Sequence, residues 1–273
     1  MTDRYAVIGN PLSHTKSPLI HTAFAREQQQ DMEYTAIEAP LDGFAATVNR
    51  FRAEGGLGMN VTAPFKLEAF AMATEQSPRA RLAGAANAMK FDGERILVEN
   101  FDGVGLVNDI QNNLGFSLKG KRVLLLGAGG AARGAILPIL EAQPAQFRIA
   151  NRSLQKAQAL KSQFATHDAL VAGGYAELAG LQFDIVLNAT SASLHGELPP
   201  VPASVFAPGA LAYELVYGKG LTPFLRHAQQ SGAARLADGV GMLVEQAAEA
   251  FFWWRGVRPG TRDMITAITV LLA

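Results

Sequence analysis

In the stretch NVTAPFK, residues 60–66, a lysine follows directly on a strand-like run that Pro64 stops. On an α/β scaffold the carboxyl end of a strand is where ligands bind. An ammonium placed there can stabilise negative charge developing on an oxygen and can supply a proton. A lone lysine is more often a solvated surface residue, here one opening a helix expected over 66–76, so Lys66 needs support from the rest of the chain.

The most specific local signal is VLLLGAGGAARG. An apolar run over 123–126 reads as a fully buried strand, and Gly127, Ala128, Gly129, Gly130 and Ala131 lead at once into a helix. In the pattern Gly127-x-Gly129-x-x-Ala132 the first glycine makes the tight turn and the second admits a pyrophosphate. The small third position lets helix and strand pack closely. The free N–H groups of the helix N-terminus complete a phosphate site. The end of the following strand selects the dinucleotide. An acid there accepts from the ribose 2′-hydroxyl of NAD, but this chain has Asn151, Arg152 and Ser153, with Lys156 one helical turn on. Arg152 can fork onto a phosphate and Lys156 adds a point charge, which predicts NADP(H) rather than NAD.

The elements that must position these groups alternate. YAVIGN reads as a strand, followed by a helix with Ser17 as N-cap and Pro18 at its first position. A strand over 34–38, a helix over 43–52, a strand over 57–61 and strands near 88–91 and 95–99 come next, and then a helix over about 102–114. The βα pattern restarts after a loose polar segment at 115–121. Such alternation implies an α/β fold of mostly parallel sheet in two domains. The last stretch, from Gly239, is largely helical. Formal net charge is zero, which argues against non-specific nucleic-acid binding and a polybasic membrane surface. No apolar run is long enough to span a bilayer, and the N-terminus lacks the pattern of a secretory leader. With no cysteine, a cytoplasmic location is expected. Cysteine ligands are absent and the five histidines show no ligand spacing, so no metal is expected.

An ordered series of motifs, GNPLSHTKSPLIH, NVTAPFK, GAANA, ENFDGVG, GAGGAARG, NRS, NATS, YELVYGKGLTPFL and DGVGMLVEQA, resembles the shikimate dehydrogenase family from about Tyr5 to Trp254. The resemblance implies reversible reduction of 3-dehydroshikimate, a small anionic cyclic substrate, with NADP(H), in aromatic amino-acid biosynthesis. It implies a substrate-binding domain from 1–101 and 240–273, a Rossmann-like domain from 102–239, and an active-site cleft separating them. Lys66 and Asp102 would be the catalytic pair. Thr15 and Ser17 would hold the substrate carboxylate, helped by Tyr217. Asn60, Asn87 and Gln246 would reach ring hydroxyls, with Thr62 among the substrate-side residues. Thr190 and Ser191 would lie beside the cofactor, and Gly239 and Met242 at its nicotinamide end. A monomer or homodimer is expected.

The chain departs from the family pattern near the substrate. Thr15 stands for a serine, Ala88 and Phe101 for threonines, Glu99 and Glu214 for aspartates, and Ser193 for a glycine. Loss of two hydroxyl hydrogen bonds would cost about 1–3 kcal/mol. Quinate or quinate/shikimate dehydrogenase therefore stays open as an alternative, as does a sensor that binds NADP without turnover.

Overall fold

Short apolar strands separated by helices build two separate sheets in the computed structural model, which describes residues 2–165 and 167–272. The chain divides into two units, Met1–Gly105 with Val244–Ile268 and Leu106–Leu243 with Thr269–Ala273.

The first unit runs β1 (Asp3–Gly9), α1 (Ser17–Glu27), β2 (Met32–Glu38), α2 (Phe44–Ala53), β3 (Gly56–Val61), α3 (Lys66–Met72), β4 (Glu75–Gln76), α4 (Pro78–Ala83), β5 (Ala88–Asp92) and β6 (Arg95–Glu99). Its strand order is β2-β1-β3-β5-β6-β4. β1 is parallel to β2 and β3, whereas β5 is antiparallel to β3 and β6. β1 is apolar on both faces because both faces are covered, as parallel sheets require. Ala6 and Ile8 join Phe44, Val48, Met59 and Phe65 on one side. Tyr5 and Val7 join Tyr34, Ala88, Phe101 and Trp254 on the other.

Three local expectations are corrected. The helix from Lys66 stops at Met72 instead of reaching Gln76. Ala73 turns extended, Thr74 exchanges hydrogen bonds with the backbone of Ile96, and Glu75–Gln76 pairs with β6. Ser17 is the first residue of α1 rather than its N-cap, and its own N–H donates to Thr15 Oγ1 at 3.3 Å. The helix expected over 102–114 is α5 (Asp102–Asn108) followed by one π-helical turn at Asp109–Asn113.

The second unit continues with β7 (Arg122–Leu126), α6 (Gly130–Glu141), β8 (Gln146–Ala150), α7 (Leu154–Gln163), β9 (Leu170–Gly173), β10 (Phe183–Asn188), β11 (Phe206–Glu214), α8 (Pro223–Gln230) and β12 (Arg235–Ala237). The order is β12-β11-β10-β7-β8-β9, and every pairing is parallel. The two halves wind in opposite directions from β7 and β10, which makes their carboxyl ends the topological switch point of a doubly wound, Rossmann-like sheet. Helices α9 (Val240–Arg255) and α10 (Arg262–Leu272) close the chain. From Val244 on, α9 belongs to the first unit, where Trp254 Nε1 donates to the Met89 carbonyl at 3.0 Å and Arg255 pairs with Asp3. Among the described residues no helix is long and apolar enough to cross a membrane.

Candidate active site

Lys66 opens α3 because Phe65, fully buried, plugs the turn before it and donates its N–H to the Thr62 carbonyl. The lysine Nζ lies 2.6 Å from Asp102 Oδ2, with side-chain exposures of 29% and 9%, so the ammonium reaches solvent while the carboxylate is nearly enclosed. Asp102 is fixed at its backbone N–H and at both carboxylate oxygens. Its N–H donates to Asn100 Oδ1 at 3.1 Å, and Asn100 Nδ2 is tied to the Ala85 carbonyl. Its Oδ1 accepts from Asn87 Nδ2 at 2.8 Å. Asn87 also donates to Gln246 Oε1 at 3.2 Å and accepts from the Phe101 N–H at 2.8 Å. An ammonium has three donors. One points at Asp102, which leaves the others for a ligand oxygen.

The network extends further. Asn60 Nδ2 donates to the Asn87 carbonyl at 3.4 Å, and Asn60 Oδ1 accepts from Tyr34 Oη at 2.7 Å. Burial pushes the Tyr34 phenol well above its ordinary pKa. Thr15 Oγ1 donates to Ser17 Oγ at 3.4 Å. Hydrogen bonds thus join Tyr34, Asn60, Asn87, Gln246, Asp102 and Lys66 in one network, with Thr15 and Ser17 bonded to each other as a separate pair. Tyr34, which ends this network, has no local sequence signal, since a tyrosine in a strand looks like any core residue. Thr62 is half-buried beside Gly9, where an added Cβ would strike its methyl group. Tyr217 belongs to the second unit, with its phenol pKa raised by burial. Phe101 and Ala88 are buried at 4% and 0% exposure in the apolar cluster with Tyr5 and Trp254. They pack the core, and the Phe101 backbone still holds Asn87.

In the second unit the turn after β7 sits at the switch point. Gly127 has φ +112°, a region that favours glycine, and an added Cβ would come within 3.1 Å of the Ala189 carbonyl. At Gly129 and Gly130 a Cβ would meet nothing within 4 Å. The exposed backbone at the start of α6 is therefore open to a phosphate, with Ala128 and Ala132 buried behind it and Ala131 half-buried. After β8, Ser153 caps α7, accepting from the Lys156 N–H, and Asn151 Nδ2 donates to the Ser153 carbonyl. Arg152 and Lys156 are exposed. Thr190 is held through Asn188 Oδ1 by its N–H at 3.1 Å and its Oγ1 at 2.7 Å, and Ser191 is exposed. Gly239 is pressed against the Leu215 carbonyl with no room for a side chain. The Met242 N–H donates to Tyr213 Oη at 3.2 Å, and that phenol donates to the buried Asp109 at 2.7 Å. Open phosphate-facing backbone and basic residues after β8 fit a phosphorylated dinucleotide. Among the described residues no group of three His, Cys, Asp or Glu could hold a metal ion.

A glycine turn at the switch point of a doubly wound sheet, in a chain whose other unit fixes an ammonium on a buried carboxylate, defines a dinucleotide-dependent oxidoreductase. Three family models cover most of the sequence: the shikimate dehydrogenase substrate binding domain over 7–89, shikimate / quinate 5-dehydrogenase over 109–195, and the shikimate 5'-dehydrogenase C-terminal domain over 239–269. The chain belongs to the shikimate dehydrogenase family. It is 58% identical to the shikimate dehydrogenase (NADP(+)) of Nitrosospira multiformis, over 97% of this chain and 96% of that one. Among solved structures it is similar to an Ael1 enzyme from Pseudomonas putida, with 62% identity, TM-score 0.94 and coverage of 97% and 98%. It is also similar to a shikimate 5-dehydrogenase from Thermus thermophilus in complex with NADP(H) and shikimate, with 30% identity, TM-score 0.88 and coverage of 99% and 100%.

Proposed function

We propose that this protein is a shikimate dehydrogenase that catalyses the reversible NADP(H)-dependent interconversion of 3-dehydroshikimate and shikimate. The observation that carries this reading is the Lys66–Asp102 pair at 2.6 Å, locked by Asn87, in a chain so similar to shikimate dehydrogenases (NADP(+)). The coenzyme, when bound, supplies the hydride for reduction of the ketone or takes it up in the reverse direction. Lys66 stabilises the oxyanion that develops at the carbonyl oxygen and gives it a proton. Asp102 orients the ammonium, and Asn87 holds the carboxylate so that only one oxygen faces the lysine. Thr15 and Ser17 hold the substrate carboxylate with neutral hydroxyls, which suits a chain with no excess positive charge. Tyr217 assists them, and Asn60, Thr62, Asn87 and Gln246 bind the ring hydroxyl side. Gly127, Ala128, Gly129, Gly130 and Ala131 take the pyrophosphate. Asn151, Arg152, Ser153 and Lys156 take the 2′-phosphate, and Thr190, Ser191, Gly239 and Met242 the nicotinamide half. The first unit is the substrate-binding part and the second the coenzyme-binding part of a cytoplasmic monomer or homodimer.

Quinate oxidation is not favoured, since Phe101 and Ala88 serve the core. A coenzyme sensor without turnover is not favoured either, because the proton-donating pair is complete. Steady-state rates with shikimate and quinate, each with NADP⁺ and NAD⁺, test the reading. Shikimate with NADP⁺ is expected to give the highest kcat/KM. Preference for quinate, or tight NADP⁺ binding with no turnover, would overturn it.

A further inference from the structure

Glu214 is a fully buried acid at the end of β11 that takes no part in the chemistry described above. Its Oε2 accepts three hydrogen bonds, from Ser193 Oγ at 2.6 Å, Asn188 Nδ2 at 3.0 Å and Thr222 Oγ1 at 3.0 Å. Its Oε1 is buried with no partner. Each of the three donors controls a different segment. Thr222 is the N-cap of α8 and accepts from the Leu225 N–H at 3.2 Å. Ser193 lies in the short helical turn after β10. Asn188 ends β10, and its other side-chain atom, Oδ1, accepts both the N–H and the hydroxyl of Thr190. Thr190 in turn packs on the glycine turn, its Cγ2 lying 3.3 Å from the place of a Cβ on Gly127. A continuous line of contacts therefore runs from the Glu214 carboxyl group to the turn at the switch point, within one unit. Two departures from the family pattern, Glu214 and Ser193, are bonded to each other and act as one feature. The extra methylene of Glu214 carries its carboxyl group to a hydroxyl that a glycine would lack.

We propose that Glu214 is a positioning residue of the coenzyme site, setting the Thr190–Ser191 loop against Gly127 through Asn188, with Ser193 as its partner. The inference rests on the coenzyme site assigned above. Glu214→Gln replaces the carboxylate by a neutral amide whose one oxygen is a weaker acceptor for three donors, and Ser193→Ala removes one of those donors, so the loop must shift to re-pair. A purely structural role would lower thermal stability and weaken both ligands alike, whereas a positioning role weakens the coenzyme selectively.

The test is NADP⁺ affinity by fluorescence titration of Glu214→Gln and Ser193→Ala, alongside melting temperature and shikimate KM at saturating NADP⁺. The expected result is NADP⁺ binding about tenfold weaker for Glu214→Gln and three- to tenfold weaker for Ser193→Ala, with shikimate KM within twofold of the unmodified protein. If Glu214→Gln fails to fold, Ser193→Ala carries the test, since it retains the carboxylate and two of its donors. NADP⁺ affinity within twofold in the folded variants, or equal loss for both ligands, would overturn the proposal. Failure of the unmodified protein to bind NADP⁺ would instead remove the coenzyme reading, and this inference with it.

Discussion

Asn87 shows how much one amide can fix. Its Nδ2 holds the Asp102 carboxylate at 2.8 Å and its Oδ1 takes the Phe101 N–H at 2.8 Å, so neither group of the side chain can flip without losing a bond. Arg152 is the opposite case, an exposed guanidinium whose value lies in what it binds. Arg152→Ala is expected to weaken NADPH tenfold or more while leaving NADH within about threefold. Titration of both nucleotides checks this, and equal loss for the two would remove Arg152 from the 2′-phosphate. His21 marks the interior. It is fully buried and stacked on Tyr34 with ring centroids 4.2 Å apart. Burial lowers its pKa from 6.5 to about 3. The unfolded chain therefore takes up a proton near pH 6.5 that the folded protein refuses, and the preference for folding is full above that pH and lost as pH falls toward 3. Stability should drop by about 1.4 kcal/mol per unit below pH 6.5 from this group alone. Urea unfolding at pH 7 and 5.5 checks it, and His21→Phe should flatten the slope. An unchanged slope in that variant would mean that the imidazole is not the source.

At the scale of elements, the placing of α9 depends on a glycine. A Cβ on Gly58 in β3 would lie 2.7 Å from Trp254 Nε1 and 2.8 Å from the Met89 carbonyl. Trp254 is bonded to that carbonyl and its ring lies 4.8 Å from Tyr5. Gly58→Ala should destabilise the protein by about 1–3 kcal/mol through overpacking, measured by urea unfolding, and no change would show that α9 tolerates a different seat. Gly58 carried no signal in the sequence, because the group that fills its space comes from a helix nearly two hundred residues away. Elements with strong local patterns were legible: Arg95–Glu99 forms as expected, and β3 begins one residue before Leu57. The short β4 and β12 were not, since strands of two or three residues exist only through the neighbour they pair with. α8 did carry a readable start, Thr222 as N-cap followed by Pro223. The same limit applies to the site. Residue types at Lys66, Asp102 and the glycine turn pointed to chemistry, whereas Tyr34, Asn100, Asn188 and Glu214 are polar residues whose roles come only from partners brought by the fold.

For the whole molecule, zero formal charge leaves recognition of an anionic acid to local donors, and most of the donors we assign to it, Thr15, Ser17, Asn60, Asn87, Gln246 and Lys66, belong to the first unit. The coenzyme fingerprint lies entirely in the other unit. The division of labour was readable because each half has its own strand–helix alternation, and the switch point follows from parallel pairing around β7 and β10. The central claim is that Lys66 acts on the reacting oxygen and does not merely pin Asp102. The most direct measurement is kcat for shikimate oxidation by NADP⁺ in Lys66→Ala, with shikimate affinity measured in the same variant. The account predicts a fall in kcat of about 10²–10⁴-fold with affinity changed only a few-fold. A kcat within threefold of the unmodified enzyme would contradict it.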